Sequence, residues 1–208
     1  VKTKTNIINL KQMIPTNKTP EDWLNLINRY FAEYHITTPN RIAGFMAQAG
    51  HESSDFTDLV ENMNYGWKAL RKTFPRYFPT DALAKEYERK PELIANRVYD
   101  DALRINKIGN TRPGDGWKFI GRGIFQLSGR WNYEKFARAI NMPTDEAAVY
   151  LTTKEGAIHS ACWFWRNKGC QVLADKGDIK GMSKAINGGD IGLTDRTNRY
   201  NRNLKVLQ

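Results

Sequence analysis

The chain has 208 residues, of which 40% are hydrophobic, and a formal net charge of +10. This size predicts a single domain over residues 1–208, and the charge favours anionic partners. No lysine or arginine run is long enough for a nucleic-acid tail, and no apolar run reaches the roughly 18 residues that span a bilayer. We therefore expect no nucleic-acid partner, no stable membrane insertion and a monomer.

Cysteine and histidine usage is sparse. Cys162 and Cys170 provide neither a disulfide framework nor a metal-ligand cluster, and the three histidines are scattered. We therefore expect no metal and no cofactor. Residues 1–14 contain lysines but lack the apolar stretch of a secretory signal. The prediction is a protein made in a cytoplasm that reaches any outside target by another route.

Helix signals dominate the chain. Thr19-Pro20 predicts a helix start with Thr19 as its N-cap, and Thr38-Pro39 predicts the start of a helix that ends at Glu52. Further helices are predicted, in chain order, from Pro91 to about Leu103, from Asn132 to Ile140, after a capping box at residues 152–155, and after caps at Asp178 and Thr194. The predicted class is therefore mainly α.

Two segments depart from simple helices. Residues from Trp117 to Ser128 contain several glycines and predict a short, bent hairpin. Residues 73–108 are helical in pattern, charged, and bounded by stretches rich in proline and glycine. We predict that they form a small inserted helical lobe. The alternative is that this lobe only covers the core.

Glu52 continues an apolar helix face that includes Ile42, Phe45 and Ala49. Partial desolvation there would favour the neutral carboxyl group, which is the form that a general acid needs. A second carboxylate, Glu61, follows shortly after in the chain. One buried and one more exposed carboxylate are the minimum that glycoside hydrolysis requires. The alternative is that Glu52 is simply a solvated residue at a helix end.

Four polar, glycine-assisted segments lie between the predicted helices. They are His51-Glu52-Ser53-Ser54, Glu61-Asn62-Met63-Asn64-Tyr65, Gly121 to Ser128 with Asn132-Tyr133, and Ile186-Asn187-Gly188-Gly189 with Asp195-Arg196. Together and in this order they resemble glycoside hydrolase family 19. That family comprises plant-type chitinases and a branch of peptidoglycan-cleaving bacteriophage endolysins, which are lysozyme-like.

The resemblance covers the chain from about Arg41 to its end. Small size, few cysteines and basic charge resemble the endolysin branch. The resemblance implies a mainly α, lysozyme-like, two-lobed helical fold with a short β-hairpin at the active-site cleft.

The resemblance also implies a role for each matching residue. Glu52 matches the general acid, Glu61 matches the second carboxylate of the endolysin branch, which activates water, and Ser128 matches a serine that holds this water. The implied substrate-binding residues are Gln126, Asn132, Asn187 and Arg196, with Tyr65 and Trp131 as aromatic platforms.

Plain structural roles stay open for several of these residues. Gln126 could bond backbone inside the hairpin, and Asn187 begins a common turn pair. Arg196 could belong to a solvated basic face with Arg199 and Arg202.

The leading hypothesis is a peptidoglycan hydrolase that cleaves the β-1,4 bond between MurNAc and GlcNAc with inversion and lyses the bacterial host. It would be a single catalytic domain that is made in the host cytoplasm and acts in the periplasm or cell wall. The lobe of residues 73–108 would line its cleft or bind cell wall. Inversion predicts carboxyl groups roughly 6.5–9.5 Å apart. The alternatives are a chitinase, a lytic transglycosylase that needs one Glu and no base, and a non-catalytic wall-binding module.

Overall fold

The computed structural model describes residues 4–207, and this part of the chain is mainly helical, as predicted. The chain folds into two compact units. The first comprises the chain up to Leu59, the short segment Gly123–Phe125 and the chain from Leu151 onward. The second comprises Val60–Arg122 and Gln126–Tyr150. Each unit has a hydrophobic core of its own.

In chain order, the helices of the described residues are α1 (Ile7–Met13), α2 (Glu21–Glu33), α3 (Pro39–Glu52), α4 (Trp67–Thr73), α5 (Asp81–Tyr87), α6 (Pro91–Val98), α7 (Asp115–Lys118), α8 (Arg130–Ala139), α9 (Thr144–Tyr150), α10 (Lys154–Asn167), α11 (Cys170–Asp175), α12 (Ile179–Asn187) and α13 (Leu193–Leu207). The first unit contains α1–α3 and α10–α13, and the second contains α4–α9. Within residues 4–207, no helix is long and apolar enough to cross a membrane.

Helix α3 is the buried centre of the first unit. Thr38 caps its first turn, and every residue from Ile42 to Gly50 is buried. Gly50 leaves room for α13, because a β-carbon there would lie only 2.7 Å from the Arg199 Nη1 atom. Helix α13 therefore packs closely along α3 and brings polar side chains toward the end of α3, where Glu52 lies.

The chain leaves α3 through a left-handed turn. Residues 54–56 have φ angles between 49° and 68°, a region that costs an L-amino acid roughly 1–2 kcal/mol. The Ser53 hydroxyl offsets part of this cost, because it donates to the Ala49 carbonyl at 2.6 Å and accepts from the Phe56 N–H at 3.0 Å. The turn thereby fixes the last residues of α3, including Glu52.

The second unit packs around buried residues that include Leu70, Phe78, Ile94 and Ile120. Residues 73–108 lie within this unit and supply α5, α6 and part of its core. Helix α4 packs against α5, and α6 packs against α7. Residues 73–108 therefore share a core with the chain segments on both sides of them.

The helix predicted from Pro91 to about Leu103 is shorter than expected, because α6 ends at Val98. The Asp100 carboxylate accepts a hydrogen bond from the N–H two residues later, and Asp101 accepts from both N–H groups of residues 108–109. Aspartate side chains that bind nearby backbone N–H groups compete with helix formation. The two aspartates therefore begin a loop where the apolar pattern alone predicted more helix.

The hairpin predicted over residues 117–128 is much reduced. Its first residues belong to α7, and β pairing in the described chain is limited to isolated antiparallel bridges of Arg122 with Val60 and with Leu127. Gln126 has a φ angle of 50°, so the chain turns tightly between the bridge partners. The glycine-rich sequence therefore forms a tight turn in place of paired strands.

Candidate active site

Glu52 is the last residue of α3, and its Oε1 atom pairs with the Nη2 atom of Arg196 on α13. The Arg196 side chain is 1% exposed and that of Glu52 is 24% exposed. The carboxyl group is therefore partly buried and is paired with a cation. The pairing occupies Oε1 and leaves Oε2 as the oxygen available for proton transfer.

Arg196 is held by further acceptors inside the first unit. Its Nη1 donates to the Gln48 side-chain oxygen at 2.5 Å, and its Nε donates to the Ile191 carbonyl at 3.1 Å. The Gln48 amide in turn donates to the Ser183 hydroxyl at 3.3 Å. Gln48 and Ser183 are fully buried. Arg196 is thus part of a buried polar network that fixes Glu52, and it is not part of a solvated basic face.

A second network lies beside Glu52 in the same unit. The His51 Nδ1 atom is 2.7 Å from an Asp195 carboxylate oxygen, which also accepts from Arg199 Nε at 2.7 Å. Arg199 extends to the buried Asp55. Burial opposes ionisation of Asp195, but the bonds from His51 and Arg199 lower its pKa below the ordinary value. These contacts tie the left-handed turn to α13 and hold the residue next to Glu52.

Glu61 belongs to the second unit and is held by neutral donors. Its backbone N–H donates to the Gly121 carbonyl at 2.9 Å, and the Gly121 N–H donates back to Oε2 at 3.3 Å. The Tyr99 hydroxyl donates to Oε1 at 2.6 Å. The two candidate carboxylates therefore differ: Glu52 is paired with a cation, and Glu61 with a phenol and an amide.

Gly121 is the point at which three of the predicted residues meet. A β-carbon there would lie 2.7 Å from Gln126 Oε1, 3.1 Å from Ser128 Oγ and 3.3 Å from Glu61 Oε2. The missing side chain makes room for these polar atoms around one small space. The Ser128 hydroxyl donates to the Gln126 carbonyl at 2.9 Å, so its oxygen can accept a hydrogen bond from water.

The two predicted aromatic platforms differ in exposure. Tyr65 is half-buried, and its pKa is raised by burial and then by the charge of Glu61. Trp131 is 49% exposed and lies against Gly109, where a β-carbon would come within 2.3 Å of the indole ring. The exposed half of Trp131 offers a flat apolar surface of the kind that binds a sugar ring.

The two predicted asparagines are exposed and bond within their own segments. The Asn132 amide donates to the Ser128 carbonyl at 2.9 Å. The Asn187 amide donates to the Ile191 carbonyl at 3.2 Å, and its oxygen accepts from the Gly189 N–H at 2.8 Å. Both the amide nitrogen and the amide oxygen of Asn187 thus form hydrogen bonds within the turn that follows it. This is the structural role that the sequence analysis kept as an alternative.

Two residues that contact the candidate carboxylates or their partners, Gln48 and Tyr99, are not among the predicted site residues. Gln48 carried a usable signal, because it is an amide one helical turn before Glu52 in an otherwise apolar helix. Tyr99 carried none, since 38 residues separate it from Glu61. Across residues 4–207, no group of three or more His, Cys, Asp or Glu side chains is arranged to hold a metal ion.

Comparison with known proteins identifies the family. No family model matches the chain. A Haemophilus influenzae protein described as a glycosyl hydrolase family 19 domain-containing protein is 40% identical over 160 residues, which is 76% of this chain and 76% of the relative. The chain belongs to glycosyl hydrolase family 19. Membership of this family makes it a glycoside hydrolase and confirms the predicted enzyme class.

Solved family 19 chitinases share its fold. A bacterial family 19 chitinase matches with a TM-score of 0.62 at 19% identity, over 97% of this chain and 94% of its own. Chitinase C of Streptomyces griseus gives 0.64 at 16% identity, over 97% and 76%. A class IV chitinase of Zea mays gives 0.56 at 19% identity, over 94% and 84%. The likeness concerns the fold, and it confirms the predicted mainly α, lysozyme-like class.

Proposed function

We propose that this family 19 protein is a peptidoglycan hydrolase of the bacteriophage endolysin type. It cleaves the β-1,4 bond between MurNAc and GlcNAc and lyses the bacterial host in whose cytoplasm it is made. The observation that carries this proposal is the contrast between its two carboxylates. Glu52 is bound to a buried cation and Glu61 to neutral donors, and each carboxylate is held in place by partners within its own unit.

In the proposed reaction Glu52 is the general acid. Its Oε2 atom donates a proton to the glycosidic oxygen as the bond between that oxygen and the anomeric carbon breaks. The electron pair left on Glu52 is stabilised by Arg196, which already holds Oε1. Arg196 therefore favours the product side of the proton transfer, and Gln48 keeps the guanidinium in place.

Glu61 is the proposed general base. It accepts a proton from a water molecule as the water oxygen bonds to the anomeric carbon from the face opposite the leaving group, which inverts the configuration. Ser128 accepts a hydrogen bond from the same water. Support for this role comes from the position of the Ser128 oxygen and Glu61 Oε2 around the space beside Gly121.

The proposed glycan-binding groups come from the sequence motifs that contain the two carboxylates or from residues next to those motifs in the chain. Trp131 offers its exposed ring face to a sugar, with Tyr65 as a second aromatic contact. The side chains of Gln126 and Asn132 supply polar groups for sugar hydroxyl or N-acetyl groups. Asn187 contributes by shaping the turn that presents the Ile191 carbonyl to Arg196.

The choice between peptidoglycan and chitin rests on charge. A formal net charge of +10 attracts an anionic cell envelope, whereas chitin is a neutral polymer. Chitinase activity is the second candidate, and it is favoured by the chitinases among the structural relatives. The two candidates share the same proposed chemistry, so a measurement on both substrates is needed to separate them.

Salt dependence tests the proposed substrate. Raising ionic strength from about 0.01 M to about 0.1 M shortens the Debye length from about 30 Å to about 10 Å. We expect the initial rate on purified whole peptidoglycan to fall severalfold over this range, because attraction between the basic surface and the anionic polymer is screened. Turbidity loss of the suspension measures the rate.

A short, neutral chitooligosaccharide is the matched control. Any cleavage of it, followed by chromatography of the products, should change little over the same salt range. Faster cleavage of the chitooligosaccharide than of peptidoglycan at low salt would favour the chitinase candidate. Equal salt sensitivity on both substrates would show that charge acts on the protein itself and not on its attraction to the wall.

A further inference from the structure

Tyr99 has the shortest contact to the Glu61 carboxylate and no role in the scheme above. It follows α6, and its hydroxyl lies 2.6 Å from Glu61 Oε1. Its backbone is fixed on both sides, because its N–H donates to the Ala95 carbonyl at 2.9 Å and its carbonyl accepts from the Asn110 amide at 3.0 Å. The Arg104 guanidinium lies over the ring, 5.4 Å from its centroid. The hydroxyl is therefore held in place by its surroundings.

We propose that Tyr99 is the positioning residue of the general base: its O–H group holds Glu61 Oε1 and stabilises the ionised carboxylate, so that Oε2 is directed at the attacking water. The inference rests on the proposed function. With Oε1 occupied by Tyr99 and the Gly121 N–H placed at Oε2, the carboxylate has one fixed orientation beside Ser128.

A phenol suits this position because it remains a donor. Burial and then the charge of Glu61 raise the pKa of Tyr99 above its ordinary value, so the hydroxyl keeps its proton at neutral pH. A neutral donor also orients the carboxylate without the full charge stabilisation that a guanidinium provides. Glu61 is thus oriented by a neutral donor and not by a cation.

Other titratable and charged groups near Glu61 do not take over this role. Burial raises the pKa of Tyr65 and raises that of Tyr133 to about 12. The charge of Glu61 also contributes to both shifts. The Tyr133 hydroxyl donates to the Ile120 carbonyl at 2.7 Å. Arg122 bonds to that hydroxyl and to carbonyls of the preceding chain. The Glu61 carboxylate accepts hydrogen bonds from the Tyr99 hydroxyl and the Gly121 N–H.

The test is the pH dependence of kcat/KM on peptidoglycan fragments for Tyr99→Phe. This variant keeps the ring and removes only the donor, so the ionised form of the base loses a hydrogen bond while the protonated form loses little. We expect the acidic limb of the profile to move upward by about one pH unit, and the alkaline limb, which reports the general acid, to stay in place. kcat at low pH should fall while KM stays constant.

Tyr87→Phe is the matched control. Tyr87 lies in the same unit, where its ring contacts Phe78 with centroids 5.3 Å apart. Its variant should keep the wild-type profile. If Tyr99→Phe does not fold by circular dichroism, a ring-fluorinated tyrosine at position 99 replaces it. Fluorination strengthens the donor, so the acidic limb should then move downward.

Three results would overturn the inference. The first is an unmoved acidic limb in an active Tyr99→Phe enzyme. The second is a uniform loss at all pH values with a lowered melting temperature, which would indicate a structural role only. The third is a fluorotyrosine profile that matches wild type. Failure of the proposed function looks different, because Glu61→Gln would then retain activity whatever the result at Tyr99.

Discussion

A Glu52→Gln variant is expected to lose at least about a hundredfold of its glycan-cleaving activity, the low end of what general acid catalysis contributes. The amide oxygen can still accept a hydrogen bond from Arg196, but the side chain has no acidic proton to give to the leaving oxygen. Initial rates on purified peptidoglycan measure the loss. Because the amide also removes the counter-charge of a buried guanidinium, the melting temperature should fall modestly.

Glu146→Gln is the matched control, since Glu146 is exposed on α9 and undergoes the same chemical change. It should retain wild-type rates and stability. Circular dichroism of the Glu52 variant separates lost chemistry from lost folding. A folded Glu52→Gln protein with wild-type activity would remove Glu52 from the mechanism.

An Arg196→Met variant is expected to lose both activity and stability. Methionine fills part of the space but leaves the Gln48 oxygen, the Ile191 carbonyl and the Glu52 carboxylate without their shared donor. Removing one partner of a buried ion pair costs about 3–5 kcal/mol. At roughly 2–4 °C per kcal/mol for a chain of this size, the melting temperature should fall by about 10 °C. Thermal unfolding followed by circular dichroism measures it.

Two further variants make this result specific. Arg166→Met changes an exposed arginine on α10 and should alter stability by no more than about 0.5 kcal/mol. Arg196→Lys keeps the charge but cannot reach the three acceptors as a planar fork does, so it should recover stability only in part. An Arg196→Met protein that melts and cleaves like wild type would show that the buried network does not support Glu52.

Helix starts were predictable where a single cap was available. Thr38 caps α3 and Asp178 caps α12, as their sequences indicate. Where neighbouring residues compete, the position was wrong by one or two residues. Pro20, and not Thr19, is at the N-cap of α2, and α13 begins at Leu193, so Thr194 lies inside it. Helix ends fray, so the sequence fixes a helix start only to within one or two residues.

The predicted capping box at residues 152–155 shows the same competition. Thr153 is the N-cap of α10 and accepts from the Gly156 N–H at 3.0 Å. The Glu155 carboxylate is used elsewhere, because it accepts from the Tyr30 hydroxyl at 2.7 Å and pairs with Arg29. These contacts of Glu155 join helices that are distant in sequence, and no local pattern could have predicted them.

In the candidate site too, local features were predictable from sequence and contacts between distant residues were not. Gly121, Gln126 and Ser128 come together through one short turn, so their motif predicted their proximity. The environments of the two carboxylates depend on distant partners, Arg196 for one and Tyr99 for the other. The residue types at the site could thus be predicted from sequence, but their hydrogen-bond partners could not. The wall-binding role of residues 73–108 stays a prediction.

Mass spectrometry of digested peptidoglycan tests the central claim most directly. Hydrolysis of the MurNAc–GlcNAc bond by water adds one water per cut and leaves a reducing MurNAc end. We expect muropeptides with reducing MurNAc ends, and none from Glu52→Gln or Glu61→Gln. Anhydro products would contradict the account by showing a transglycosylase without a water-activating base, and reducing GlcNAc ends would show that the other glycosidic bond is cut.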